Sequence, residues 1–468
     1  MKLTKYANKL AISVVAIFFL VLWAVWYSCY YYTLCWQEGF SFFSTLPDFI
    51  GIQANLPEDI FKYTGAFLLQ FFRNPLCGAA IQAGFTTFIV IFLGICVKDA
   101  RLLWLAFLPV PVFVAGQYAD ITLERSLQWC TSALLLTVIW RLFVRLKHVN
   151  FSIPHWLRSS VLMLGVPVMV LGLSVYQLMK KDNGYQEQLC RIDYHANQQE
   201  WREILHLISP EDAQKDELKL RYALLALSET GQLADYAFGY GIKDYSQFLF
   251  YGTEDPFHRN FNALFYQSIG MPNEVVHQCY QQSLTSPFGF NFKSLRLLVD
   301  TYIEMGDRLL ASKYLEILRH SSFHQEWTKS RMERLESMKM KNKSVVKNEA
   351  SFVGNFLETI TSMVNRDIDN RKNMDLGLCA ILTTRNVEYF RQAFEAVGAV
   401  LYADGKRIPR HYEEALLLIA LHDKKILTQY NISKESRERF VDFMQLLQNG
   451  KINVAKAKYP NSYWSFMF

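Results

Sequence analysis

The sequence predicts an all-α protein: an N-terminal bundle of about five transmembrane helices, then a water-exposed domain of α-helical repeats. Three observations predict it. Charge is unevenly distributed, since residues 1–179 hold 12 Lys and Arg with 7 Asp and Glu, whereas residues 180–468 hold 37 and 36. The first part contains five apolar runs near the length that crosses a hydrocarbon core of about 30 Å at about 1.5 Å per residue. The second part carries apolar residues at i, i+3 and i+4, and its Gly231, Gly270 and Gly306 recur at a spacing typical of helix-pair repeats. Together these exclude a wholly soluble enzyme, a disordered or fibrous chain and a disulfide-stapled miniprotein. The formal charge of +6 lies mostly in the first part. The balanced second part lacks the concentrated positive face of a nucleic-acid binder.

The first run, Leu10 to Tyr27, follows Lys2, Lys5 and Lys9 and continues into "WYSCYYYTLCW". A signal peptide has a shorter apolar core and a small-residue cleavage site, so this run is expected to stay as an anchor with its aromatic residues at the far interface. Four more spans are expected at Cys77–Val97, Leu102–Gly116, Ser126–Phe143 and Val161–Met179. Pro75 suits a first helical turn, and Pro109 and Pro111 predict a kink in the third span. The segment Phe61–Phe72 is apolar but too short to cross, and is expected to lie in the interface or dip into it.

With the N-terminus cytoplasmic, the inner segments hold nine Lys or Arg and the outer loops three. This bias sets the orientation. Five spans then put residues 180–468 outside the cytoplasm. No span carries Lys, Arg, Asp or Glu in mid-membrane, which favours an anchor over a pump or transporter working alone.

In the second part, "SLRLLVDTYIEMGDRLLASKYLEILRH" has Leu298 and Tyr302 as packing positions of a first helix and Gly306-Asp307 as a turn. Ala311 is the small residue where two helices can touch, and Leu315 and Leu318 complete the second helix. This unit resembles a tetratricopeptide repeat. Weaker copies surround Ala263, Tyr266 and Gly270, and Gly231, with a degenerate unit from Gln186 to Ile208. The expected layout is a transmembrane domain at 1–179, tetratricopeptide-like repeats at 180–338, a basic linker at 339–350 and a C-terminal helical segment at 351–468.

Four features occur together: "FKYTGAFLLQFFRNPLCGA" before the second span, Trp201, "IPRHYEEALLL" and the tail "KYPNSYWSFMF". In this the chain resembles an uncharacterised family of multi-pass inner-membrane proteins of the Bacteroidetes. The resemblance implies a Gram-negative envelope location and carries over no catalytic residues.

Candidate sites are few. The stretch from Tyr236 to Tyr266 holds 11 aromatics in 31 residues. Tyr236, Tyr240, Tyr245, Phe248, Phe250, Tyr251 and Phe257 are the candidate partner-binding residues, because exposed aromatic clusters mark interaction surfaces; repeat core is the competing reading. Lys406, Arg407, Arg410 and His411 cluster at a helix start, a candidate anion-binding site, against a solvated turn. Glu58-Asp59 could serve an enzyme acting on lipid-linked substrate, or simply begin a helix in "LPEDIF". His320 and His324 have ligand spacing but no third ligand, so no metal is expected. Eight scattered cysteines form no motif. The aromatic tail is expected to pack on its own domain.

The resulting expectation is a scaffold or interaction protein anchored in the inner membrane, with residues 180–468 periplasmic. Its expected partners are a cell-envelope protein and the lipid bilayer, without nucleic acid, metal or other cofactor. It is not expected to be an enzyme. The alternative is a membrane enzyme or transporter subunit acting on envelope polysaccharide or a lipid-linked substrate.

Overall fold

The computed structural model describes residues 2–47, 59–97, 99–147, 154–337, 352, 354–402 and 406–468, and every regular element among them is helical. Five helices are long and apolar enough to cross a membrane: Asn8–Cys29, Pro75–Cys96, Ala100–Gln117, Glu124–Leu146 and Ser160–Leu178. They coincide with the five runs read from the sequence. The second begins as its proline predicts, with Pro75 in the first turn and the Asn74 side chain accepting the Leu76 N–H at 3.1 Å. The kink expected in the third is a change of helix type. Ala100–Phe107 is a 3₁₀ segment, and an α-helix starts afresh at Val110 behind Pro109. A new helix start absorbs both prolines, because a first turn needs no N–H from them.

The spans are joined by polar contacts in their interior. Gln117 donates to the Gln82 side chain and carbonyl at 2.7 Å, and the Thr86 hydroxyl donates to Gln117 at 3.1 Å. Thr137 donates to the Phe92 carbonyl, and Trp140 to that of Cys96. In hydrocarbon such bonds tie helices that the hydrophobic effect alone cannot. At one end of the bundle the first, third and fifth spans finish together: Tyr30 donates to the Leu178 carbonyl, the Tyr30 and Tyr118 rings lie 5.2 Å apart, and Tyr118 donates to the Asn183 carbonyl. At the opposite end Arg158 lies 3.5 Å from Asp99.

The short apolar segment becomes the helix Asp59–Leu69 and the 3₁₀ turn Gln70–Arg73. It crosses the loop before the fourth span so closely that a Cβ on Gly65 would collide with the Thr122 carbonyl oxygen.

The chain divides into two compact units. One comprises Met1–Tyr194 and Ser283–Met340, the other His195–Gln282 and Lys341–Phe468. The best repeat-like unit thus belongs with the membrane spans. Its helices Phe292–Met305 and Arg308–Arg319 turn at Gly306, whose φ of +78° is a left-handed conformation that glycine adopts without strain. Asp307 caps the second helix, and Leu298, Ala311, Leu315 and Leu318 are fully enclosed. The expected linker, 339–350, lies outside the described residues.

The other unit is built on Glu217–Glu229, Pro256–Ile269, Phe356–Arg366, Arg371–Thr383, Val387–Leu401, Arg410–Ile419 and Lys434–Gln448. Gly231 ends the first of these, but the chain then makes only the single turn Leu233–Tyr236 rather than a second full helix. Glycines at 239 and 241 interrupt helical propagation there. Phe238 instead packs against His411, Tyr463 and Phe466.

Candidate functional site

The aromatic segment is mostly core. Phe248 and Phe257 are buried, so they are not available to a partner. Phe250 lies between the His258 ring, stacked at 3.7 Å, and the Arg221 guanidinium, 3.8 Å from its centroid. Arg221 is fixed in turn by two hydrogen bonds to the Leu249 carbonyl. Tyr240 and Tyr245 are half-buried. Only Tyr236 and Tyr251, each about half exposed, keep most of a ring in solvent. Composition could not show this, because the chain that covers Phe248, around Phe356, lies a hundred positions away.

The cationic cluster is answered from within its own unit. Both terminal nitrogens of Arg407 reach Asp235, at 2.8 and 3.1 Å, and the backbone N–H of Arg410 donates to the same carboxylate at 2.7 Å. The anion that this helix start attracts is therefore Asp235. One turn on, the fully buried Glu414 receives His411 Nδ1 at 3.1 Å and Arg410 Nε at 3.0 Å, with Arg439 at 3.4 Å. Burial opposes its charge, but the His411 hydrogen bond, the cations and the Tyr463 N–H hold its carboxyl below the usual range. Lys406 is exposed. The tail packs back onto its own domain at the same point. The Tyr463 N–H reaches the Glu414 carboxylate at 2.7 Å and the Trp464 indole N–H its backbone carbonyl at 2.8 Å.

The most elaborate polar site has no signature in the sequence. It surrounds the helix Tyr31–Phe40, which directly succeeds the first span. At its N-terminus the Glu187 carboxylate accepts the backbone N–H groups of Tyr32 and Thr33, at 2.9 and 2.8 Å, and the Thr33 hydroxyl. A carboxylate is suited to these otherwise orphan donors and to the helix dipole. Toward its C-terminus Glu38 lies 2.8 Å from His324 Nε2, with both side chains almost wholly enclosed. The imidazole stacks on Phe292 at 4.0 Å. Burial disfavours charge on both groups. The close contact with His324, with Arg296 and Arg73 nearby, nevertheless holds Glu38 below its ordinary range, while burial keeps His324 below its own. The pair is thus a close, buried contact between an imidazole and a carboxylate.

Around this pair the segment after the first span is stitched to the helices of residues 292–337. Thr45 donates twice to the His320 carbonyl at 3.1 Å, and Phe292 N–H donates to the Ser41 carbonyl at 2.9 Å. Gln70 accepts the Ser322 N–H at 3.2 Å, Arg73 donates to the Phe323 carbonyl, and the Phe71 and Phe323 rings meet at 4.9 Å. Lys293 pairs with Asp193 in a largely buried bridge.

His320 and His324 do not converge, since His320 faces Glu316 and His324 faces Glu38. Among the described residues no group of three or more His, Cys, Asp or Glu could hold a metal. Asp59 stands in the first turn of its helix, and Glu58 lies outside the described residues.

Fold and junction define an all-helical protein with five helices fit to cross a membrane and helices from its second half built into that unit. The chain belongs to a family of unknown function, DUF6057, whose model matches residues 5–181 and 129–468. This agrees with the expectation of an uncharacterised family. No curated protein and no solved structure matches the chain.

Proposed function

We propose that this chain is a membrane-anchored interaction protein. It presents a tetratricopeptide-like helical domain on the extracytoplasmic side of the inner membrane in a Gram-negative envelope, where a protein partner binds. The observation that carries the reading is the junction around Glu38 and His324, which ties residues 292–337 to the segment after the first span and so supports a scaffold built onto its anchor. The odd number of spans and the excess of Lys and Arg in the opposite loops support the sidedness. Of the seven aromatic candidates, the exposed Tyr236 and Tyr251 are those left for a partner.

The test has two arms on the full chain. A cysteine at the exposed position Lys406 should react with a membrane-impermeant maleimide in cells whose outer membrane alone has been opened, above the level of the parent chain. Labelling only after lysis of the inner membrane would overturn the sidedness. Tyr236→Ala and Tyr251→Ala should each lose a crosslinked partner while the chain still accumulates. Unchanged crosslinking in both would overturn the assigned face.

A further inference from the structure

The end of the bundle where the third span finishes and the fourth begins contains a cavity of about 180 Å³. That is more than about ten times the space one water needs. Its walls combine two materials. Val112, Phe113 and Trp129 are apolar, and Val112 and Trp129 are exposed on the outer surface of the spans. Gln117, Asp120, Arg125 and Ser126 are polar and line the end nearer water.

The two charges are of opposite sign and are not joined. Asp120 is buried and held rigidly, one oxygen accepting both the Ser126 N–H and its hydroxyl at 2.7 Å. Its other oxygen has only a long contact, 3.4 Å, with the Thr122 hydroxyl. Arg125 is exposed and makes no hydrogen bond or ion pair among the described residues. The cavity therefore offers an acceptor with spare lone pairs and a cation whose donors are unengaged among the described residues. Beside them is Gly116, where an added Cβ would meet nothing within 4 Å.

We propose that this cavity binds the headgroup of a phosphatidylethanolamine-type lipid. Arg125 takes the phosphate, since guanidinium matches its oxygens in a fork geometry. Asp120 takes the ammonium, whose N–H groups a choline headgroup lacks. The acyl chains leave past Val112 along the apolar outer face. A soluble phosphoethanolamine shares the polar chemistry, but the exposed apolar rim favours the lipid. The inference rests on the spans lying in a bilayer and is independent of the scaffold reading.

The test is native mass spectrometry of the full-length protein in detergent, titrated with phosphatidylethanolamine, phosphatidylcholine or phosphatidylglycerol of identical chains. One phosphatidylethanolamine should be retained, and the other two bound about tenfold more weakly, as loss of one hydrogen bond to a charged group implies. Arg125→Gln should weaken retention by a similar factor. Gly116→Leu should fill the space and abolish it, while thermal unfolding of lipid-free protein stays unchanged. Equal retention of all three lipids, or retention unaffected by Gly116→Leu, would overturn the proposal. Displacement of the lipid by an equal concentration of soluble phosphoethanolamine would overturn its assignment to a lipid.

Discussion

Glu38 and His324 meet at 2.8 Å, although one stands just after the first span and the other lies far along the second half of the chain. Both are almost wholly enclosed, so neither can turn to water if its partner is lost. Glu38→Ala should therefore destabilise the membrane unit by about 1–3 kcal/mol, the usual cost of leaving a buried polar group without its partner. Thermal unfolding of purified protein followed by tryptophan fluorescence would show it. Little change in Tm would mean that the pair is not closed in solution.

The same pair predicts acid sensitivity. His324 has a native pKa below its ordinary 6.5, so as pH falls past about 6.5 the unfolded chain takes a proton that the buried ring resists, and stability declines. Glu38 has a native pKa below its ordinary 4.5. The stability its ionised form contributes is present above that value and is lost as pH falls through the native pKa. Both groups act in the same direction. Wild-type protein should lose Tm between pH 6.5 and 5 relative to His324→Phe, and parallel profiles would rule the effect out.

Trp464 is fully buried near the end of the chain, with its indole N–H on the Glu414 carbonyl. Trp464→Ala should cost about 3–5 kcal/mol in the second unit, as large aromatic truncations do. The check is limited proteolysis of the full chain, where new cleavage should map to residues 406–468 and not to the spans.

Gly65 and Gly116 should behave oppositely. Gly65→Ala forces a methyl onto the Thr122 carbonyl and should cost at least about 1–3 kcal/mol, visible as reduced accumulation in the membrane. Gly116→Ala meets open space and should stay within about 1 kcal/mol of wild type.

Asp235 occupies the helix start that Arg407 and Arg410 would otherwise offer to an external anion. Asp235→Ala should create a sulfate-binding site there, because a helix N-terminus with adjacent cations attracts anions. Sulfate should then raise the Tm of the variant and not that of wild type beyond the general salt effect. An equal rise in both would refute it.

The spans are legible in the sequence because crossing a bilayer imposes a length and an apolarity that a linear string displays directly. The turn at Gly306 and the burial of Ala311 and Leu315 are legible because a helix hairpin is built from near neighbours. The segment after Gly231 carries the periodicity of a second helix and does not form one. Gly239, Gly241 and the burial of Phe238 decide otherwise. Phe248 and Phe257 illustrate a related limit, since aromatic content says how much surface needs covering and not what covers it. Glu38, Glu187 and His324 look like ordinary polar residues of amphipathic helices until the chain brings their partners from far away.

The division of the chain has a consequence for biosynthesis. Residues 283–340 complete a unit begun at the first residue, and the intervening stretch His195–Gln282 belongs to the other unit. A ribosome that has finished all five spans has not yet made the anchor, because Phe292, Lys293 and His324 are still to come. Until then Glu38 and Asp193 wait without the imidazole and the ammonium that answer them. Closure of the membrane unit thus waits on Lys293 and His324, and a nascent chain stopped before Lys293 carries both carboxylates without these two partners.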